Sequence, residues 1–193
     1  MSGRNDLFPI FIKLHQVNTL VVGGGNVGLE KLGALLGSDP GARVHIVALH
    51  ASDAVKAFIR AFPTVRLEER AFEPGDLDDK QLVICATGDP AVNETIRRET
   101  TLRGILLNIA DTPAMCDFYL SSVVTKGNLK VAISTNGKSP TLGKRLKEIL
   151  SEALPEEVDE VLQHLSALRD RMKGDLPEKI RQLNEITKGL VKK

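Results

Sequence analysis

Cysteine is scarce: the 193-residue chain carries two, Cys85 and Cys116. Two cysteines so far apart make neither a disulfide framework nor a CxxC metal pair, and they fit a reducing cytoplasm. Long apolar runs are also missing. No run approaches 18 residues, which argues against a membrane span, and Met1–Asp6 has no apolar core of a signal peptide. A Walker A lysine motif and a GxSxG elbow are both absent, which removes support for P-loop phosphoryl transfer and for acyl transfer. The histidines, His15, His45, His50 and His164, are not paired at helix or strand spacing, so no fixed metal site is expected. The net charge is only +1, with no overall pull toward nucleic acid or an acidic membrane.

What remains is an ordinary globular composition, 42% hydrophobic and 26% charged, long enough for one domain plus an appendage or for two small ones. Charge is uneven along it. Phe118–Lys147 contains no Asp or Glu but holds Lys126, Lys130, Lys138, Lys144, Arg145 and Lys147. Such a stretch is either a solvated face or a landing surface for a local anion. Its aromatics, Phe118 and Tyr119, are both at one end, so no nucleic-acid partner is expected.

Apolar runs at Leu20–Val22, Val44–Ala48, Val65–Glu68, Leu82–Ala86 and Ile105–Ile109 alternate with helical patterns at Asn26–Leu36, from Ser52 or Asp53 toward Phe62, and Pro90–Arg103. In the first helix, Val27, Leu32, Leu35 and Leu36 form the expected apolar face. Strands apolar on both faces and alternating with helices predict a Rossmann-type parallel sheet in the α/β class, over roughly residues 15–112. A further short strand is expected at Phe8–Leu14. After Pro113 the pattern changes to a β-hairpin, Phe118–Thr125 and Leu129–Ile133 around Lys126-Gly127-Asn128. Helices follow, punctuated by Pro140, Pro155 and Pro177. Two apolar stripes, Val158/Val161/Leu162/Leu165/Leu168 and Ile180/Leu183/Ile186/Leu190, must bury against this chain or a second copy.

Gly23-Gly24-Gly25-Asn26-Val27-Gly28 follows a strand and opens a helix. Gly23 permits a tight turn, Gly25 lets a pyrophosphate approach the backbone, and Gly28 lets the helix pack on the strand. Asn26 and Val27 would offer free N–H groups to the phosphates. A glycine-rich turn without ligand is the bland alternative. The carboxylate that usually reads the ribose, about 20 residues on, is missing: Ala48-Leu49-His50 stands there, with no Arg either. Charge therefore leaves NAD and NADP undecided, while Leu49 and His50 can hold the adenosine by packing and backbone groups. Asp111 lies just past the fifth strand, at the edge where such sheets bind ligands. It is either a general base beside a nicotinamide or a loop-capping Asp before Thr112-Pro113. Thr87, after the fourth strand, is a candidate for the cleft wall.

With these residues in place the chain resembles the precorrin-2 dehydrogenase/sirohydrochlorin ferrochelatase family, the N-terminal module of siroheme synthases. The resemblance runs through Phe8–Phe11, Val21–Val27, Phe72–Leu77, Ala86–Pro90, Asn108–Pro113, Cys116–Phe118 and Ala132–Pro140, in that order. It implies three parts: an NAD-binding Rossmann domain over 1–113, a dimerisation and substrate segment over 114–145, and a small C-terminal helical domain over 146–193. It implies a cytoplasmic homodimer that oxidises precorrin-2 to sirohydrochlorin with NAD, with Fe2+ as a further substrate in some members. The family's essential aspartate falls on Asp111, and its NAD contacts fall on Asn26, Val27, Leu49 and His50. The basic segment then becomes a landing surface for an anionic tetrapyrrole, with Asn108, Thr135, Lys138 and Ser139 as substrate-binding candidates. Leu120, Thr135 and Gly88 depart from the family's usual proline, serine and aspartate. The resemblance also implies that a chain ending at Lys193 lacks the methyltransferase module, so that another protein supplies precorrin-2. The competing expectation from another class is a dinucleotide-sensing regulatory module without catalysis.

Overall fold

The computed structural model describes residues 5–190. The expectations for the first four residues and for the Leu190 side chain lie outside the described residues. The chain divides into two compact units, one up to Leu120 and one from Ser121 onward.

In the first unit, β1 (Asn18–Gly24), α1 (Asn26–Ser38), β2 (Arg43–Ala51), α2 (Asp53–Ile59), β3 (Val65–Glu69), β4 (Leu82–Cys85), α3 (Pro90–Arg103) and β5 (Leu106–Ile109) follow one another. The sheet is wholly parallel, in the order β3-β2-β1-β4-β5. Alternation explains why both faces are covered. Val21, Val44, Ile46, Leu82 and Ile84 point into a cluster with Leu32, Leu35 and Leu36 of α1 and Val55 of α2. Their neighbours Leu20, Val22, Val47, Val83 and Cys85 point into a second cluster with Leu77 and with Ile96 of α3. The sequence patterns thus place the elements correctly, with local differences. Val27 is not part of the α1 core face; it is half-exposed, and Gly28 is buried in its stead. The α2 helix stops at Ile59, short of Phe62-Pro63.

The expected strand at Phe8–Leu14 does not form. Residues 5–13 have no regular structure, and Leu14–Gln16 is a 3-10 turn. Pro9 has no N–H to give to a ladder, and Phe8 is 86% exposed. Nor does Phe118 begin the hairpin. Phe118 and Leu120 pack on the first core cluster, and β6 starts at Ser122.

A polar clip holds the outer edge of the sheet. Arg70, just past β3, donates to both oxygens of Asp76, at 2.8 and 2.6 Å, and to Glu68 at 2.7 Å. Burial pushes the Asp76 carboxyl up, but Arg70 and the Glu73 N–H outweigh it and hold it below the ordinary value. His45 Nε2 lies 3.3 Å from Glu68 Oε1 but is not aligned as a hydrogen bond. Burial keeps this imidazole below its ordinary 6.5 despite Glu68.

In the second unit β6 (Ser122–Lys126) and β7 (Leu129–Ile133) form an antiparallel hairpin, followed by α4 (Pro140–Ala153), α5 (Val158–Arg171) and α6 (Leu176–Thr187). The hairpin turn is pinned to α5. Asp159 accepts from Asn128 N at 2.6 Å and from its Nδ2 at 2.9 Å; Gly127 in this turn has φ +54°, which favours glycine, and a Cβ there would also strike Asp159. No residue of α5 or α6 is buried.

Acid should weaken the first unit in two stages. His45 is held neutral in the fold, so stability is lost as pH falls below 6.5. Asp76 contributes above the ordinary value of 3.8 and is lost only as pH falls through its lower folded value. The urea midpoint should drop between about pH 7.5 and about pH 5 in the native protein and stay nearly level in His45→Gln. An equal drop in both proteins would reject the assignment to His45.

Candidate active site

The C-terminal edge of β1 is shaped by backbone contacts that leave no room for side chains. Gly23 has φ +116°, and a Cβ there would lie 2.5 Å from the carbonyl oxygen of Ala86, at the end of β4. A Cβ on Gly28 would run into the Gly23 carbonyl, so α1 starts directly on the strand. A Cβ on Gly24 would lie 2.7 Å from Ala51 Cα. Gly25 is different: nothing lies within 4 Å of its Cβ position. The space in front of Gly25 is open while its neighbours are jammed, which is the arrangement a backbone needs to meet a phosphate. Gly25 is also the N-cap of α1, no side chain accepts from that first turn, and no acidic residue lies in it. The N–H groups of Asn26 and Val27 therefore belong to a helix start with an uncompensated partial positive charge. The residues present fit a dinucleotide pyrophosphate.

A cleft of about 340 Å³ adjoins this turn, within the size range of small-molecule sites. Val27, Thr87, Asn93, Glu94, Asp111 and Met115 are among its lining residues. Thr87 is tied in place: its Oγ1 accepts from Asp89 N at 2.9 Å, and its carbonyl accepts from Asn93 Nδ2 at 3.4 Å. Asn93 in turn accepts from the buried Cys85 thiol at 3.0 Å. Burial pushes that thiol up to about 11. It is protonated at neutral pH and serves as a donor.

Asp111 enters the cleft from the loop after β5. It is one of the non-glycine residues with left-handed backbone, φ +57°, a conformation Asp tolerates better than most residues. Its exposed carboxylate has no hydrogen bond or ion pair among the described residues, so the loop-capping alternative finds no support in the geometry. The loop is held by other groups. Ala110 N donates to Cys85 O at 2.9 Å, and the chain then doubles back along β5. Asp117 Oδ2 accepts from Leu107 N at 3.0 Å, Cys116 Sγ accepts from Ile109 N at 3.2 Å, and Arg97 of α3 holds Asp117 at 2.7 Å. These side chains cover the free edge of the sheet. Asn108 is part of the same brace: it is buried, and its Nδ2 donates to Phe118 O at 2.8 Å. It does not line the cleft.

Leu49 and His50 lie within β2. Between Val22 and Gly24 the β1–β2 register slips, Val22 pairing with Val47 and Gly24 with Ala51. The excess residues of β2 are pushed outward, and Leu49 is 81% exposed beside the glycine turn. Thr135, Lys138 and Ser139 belong to the second unit, at the start of α4. Thr135 Oγ1 donates to Ser139 O at 3.1 Å and accepts from Ser139 N at 3.3 Å, and Ser139 Oγ caps Leu142 N at 3.1 Å. Lys138 is exposed on this braced turn.

Asn93, Glu94 and Met115 were not anticipated from the sequence. Asn93 and Glu94 are legible only once α3 is known to start at the end of β4, because its first turn then borders the cleft. Met115 reaches the cleft only because the loop reverses. Among the described residues, no group of three or more His, Cys, Asp or Glu converges as for a metal ion.

The contrast between the glycines is testable. Gly25→Ala should fold with a midpoint close to the native one, since its φ of −89° is ordinary and its Cβ space is empty, yet weaken dinucleotide binding by about tenfold or more. Gly23→Ala should instead lower the thermal midpoint, at a cost of about 1–3 kcal/mol. Calorimetric titration and thermal unfolding of the two variants would check this, and unchanged affinity in Gly25→Ala would refute the phosphate assignment.

Comparison with known proteins agrees with this geometry. Residues 10–122 match a family described as putative NAD(P)-binding, and residues 126–153 match the central segment of sirohaem biosynthesis proteins. Siroheme synthase of Methylococcus capsulatus is 35% identical over 173 residues, 90% of this chain and 36% of the relative. Siroheme synthase of Nitrosomonas europaea is 30% identical over 168 residues, 87% of this chain and 35% of the relative. The chain thus spans just over a third of the length of these relatives. A solved structure of SirC, a precorrin-2 dehydrogenase, superposes with a TM-score of 0.75 at 26% identity, covering 93% of this chain and 89% of that one. This chain therefore belongs to the family described as putative NAD(P)-binding, and behind that unit it carries a segment matching the central part of sirohaem biosynthesis proteins.

Proposed function

We propose that this protein oxidises precorrin-2 to sirohydrochlorin with NAD+ in siroheme biosynthesis. One observation carries the chemistry: Asp111, a carboxylate without hydrogen bonds among the described residues, lines the cleft that Val27 of the glycine turn also lines. The match to siroheme synthases and to a precorrin-2 dehydrogenase supports the substrate.

Dehydrogenation removes one hydride and one proton from the macrocycle. NAD+ held by the Gly23–Gly28 turn, with Leu49 and His50 at the adenosine and Thr87 on the cleft wall, supplies the hydride acceptor. Asp111 takes the proton. The Ala110–Cys85 hydrogen bond and the Cys116/Asp117 brace fix its loop before substrate arrives, so little reorganisation is needed at the moment of transfer. Asn108 supports the loop from behind and acts on the substrate through it. Lys138, with Thr135 and Ser139 at the start of α4, would meet the carboxylates of the anionic tetrapyrrole, and the acid-free run Phe118–Lys147 supports that role. In this reading residues 1–113 bind the dinucleotide, 114–145 dimerise and contact substrate, and 146–193 form the helical remainder. Fe2+ is a second substrate in the proposal, with Asp111 accepting the pyrrole protons displaced by metal insertion. A homodimer completes it. Phe8, Ile10 and Phe11 of the first unit are exposed, as are Val161, Leu168, Ile180 and Ile186 of the second, apolar side chains that a second copy could cover.

Asp111→Asn keeps the shape and tolerates the left-handed backbone. In an anaerobic assay following NADH and sirohydrochlorin absorbance, it should lose about 10²–10⁴ in turnover while NAD+ affinity stays within about twofold. Full turnover in the variant would remove Asp111 as the base. Adding Fe2+ to the native reaction reads siroheme formation directly, and none would limit the protein to dehydrogenation. Sedimentation at micromolar concentration should give a dimer, and a monomer alone would discard that part of the proposal.

A further inference from the structure

In doubly wound sheets a carboxylate at the end of β2 commonly reads the 2′-hydroxyl of the adenosine ribose. Here β2 ends in Leu49-His50-Ala51 and has none. The adjacent strand β3 ends in Glu69, opposite Ala48 in the register. Its side chain leaves its own strand and crosses to the end of β2. Oε1 accepts from Ala51 N at 2.9 Å and lies 3.3 Å from His50 Nδ1, while Oε2 lies 2.8 Å from Lys56 Nζ in the last turn of α2. Ala51 is the residue paired with Gly24, and the two backbones are so close that no Cβ fits on the glycine. A carboxylate anchored on Ala51 N–H is therefore at the outer shoulder of the glycine turn. The outward-pushed Leu49 and His50 flank it.

We propose that Glu69 is the residue that selects the dinucleotide: a carboxylate supplied across the sheet from β3, which accepts a hydrogen bond from the ribose 2′-hydroxyl of NAD and repels the 2′-phosphate of NADP. This rests on the dinucleotide-binding reading of the glycine turn. The Ala51 N–H first, and then the Lys56 ammonium, hold the Glu69 carboxyl below the ordinary carboxylate range, so it is negative at neutral pH. The side chain is 37% exposed, and one N–H and one ammonium do not exhaust the acceptor sites of two oxygens. Among the described residues, Lys56 and His50 are the side chains contacting Glu69 that could donate to a 2′-phosphate, and Lys56 is already paired with it. A phosphate would have to displace Glu69 from its own cation.

The test is calorimetric titration of NAD+ and NADP+ into the native protein, Glu69→Gln and Lys56→Gln, with no tetrapyrrole present. Glutamine retains an acceptor for Ala51 N. Native protein should prefer NAD+, and Glu69→Gln should shrink the ratio of the two Kd values by about 10–100-fold. Lys56→Gln leaves the Glu69 charge uncompensated and should hold or widen the preference for NAD+; should Glu69→Gln fail to reach the native unfolding midpoint, a collapsed preference in Lys56→Gln overturns the assignment. A ratio unchanged within about twofold in folded Glu69→Gln, or a native preference for NADP+, also overturns it and leaves the dehydrogenase reading standing. No binding of either dinucleotide to the native protein would remove both.

Discussion

The structure depends on the crossing of three backbones at the end of β1. Gly23 lies against the Ala86 carbonyl of β4, Gly28 brings the first turn of α1 onto Gly23, and Gly24 lies against Ala51 of β2. Any Cβ at these positions would force strands or helix apart, so the approach is possible only without side chains. Its consequences reach outward. The β4 end is drawn beside the glycine turn, which sets one wall of the cleft at Thr87. The β1–β2 ladder slips, which pushes Leu49 and His50 out of the sheet. The helix begins with bare N–H groups facing open space at Gly25.

Around this crossing the charges are distributed so that each has a distinct task. The α1 start offers partial positive charge without a carboxylate to quench it. Asp111 stands on the other side of the cleft, on a loop held by hydrogen bonds that do not involve its own carboxylate. Asp76, Glu68 and Glu69 are by contrast bound to cations or backbone N–H groups. The same division holds in the second unit. Asp159 is spent on the hairpin turn, while Lys138 projects from a turn braced by Thr135 and Ser139.

Much of this was legible in the sequence because it follows from short-range rules. Continuous apolar runs in β1, β2 and β4 announced strands buried on both faces. Gly23-x-Gly25-x-x-Gly28 between a strand and a helix announced the turn, and Asp111 was marked by its position one turn past β5. The misplaced elements have a common cause: an apolar segment reads as a strand even where it has no partner to pair with. Among the described residues Phe8–Leu14 has no ladder neighbour, and Phe118 and Leu120 spend their side chains on the core before the hairpin starts at Ser122. Val27 was assigned to the core because it fits the helical period, but the close approach at Gly28 leaves it facing the cleft.

The sequence by itself determined the class of sheet, the glycine turn between strand and helix and the candidate base, because those are carried by residue type and spacing within a few positions of one another. Only the tertiary structure decided how residues distant in the chain share a task. It bound Asn108 to Phe118 and took it out of the cleft, brought Asn93 and Glu94 to the cleft wall, and delivered Glu69 from β3 to the end of β2. Such assignments depend on which strand lies beside which and on the direction a side chain takes across the edge. Neither is encoded by local periodicity; both are settled when packing fixes strand order and register.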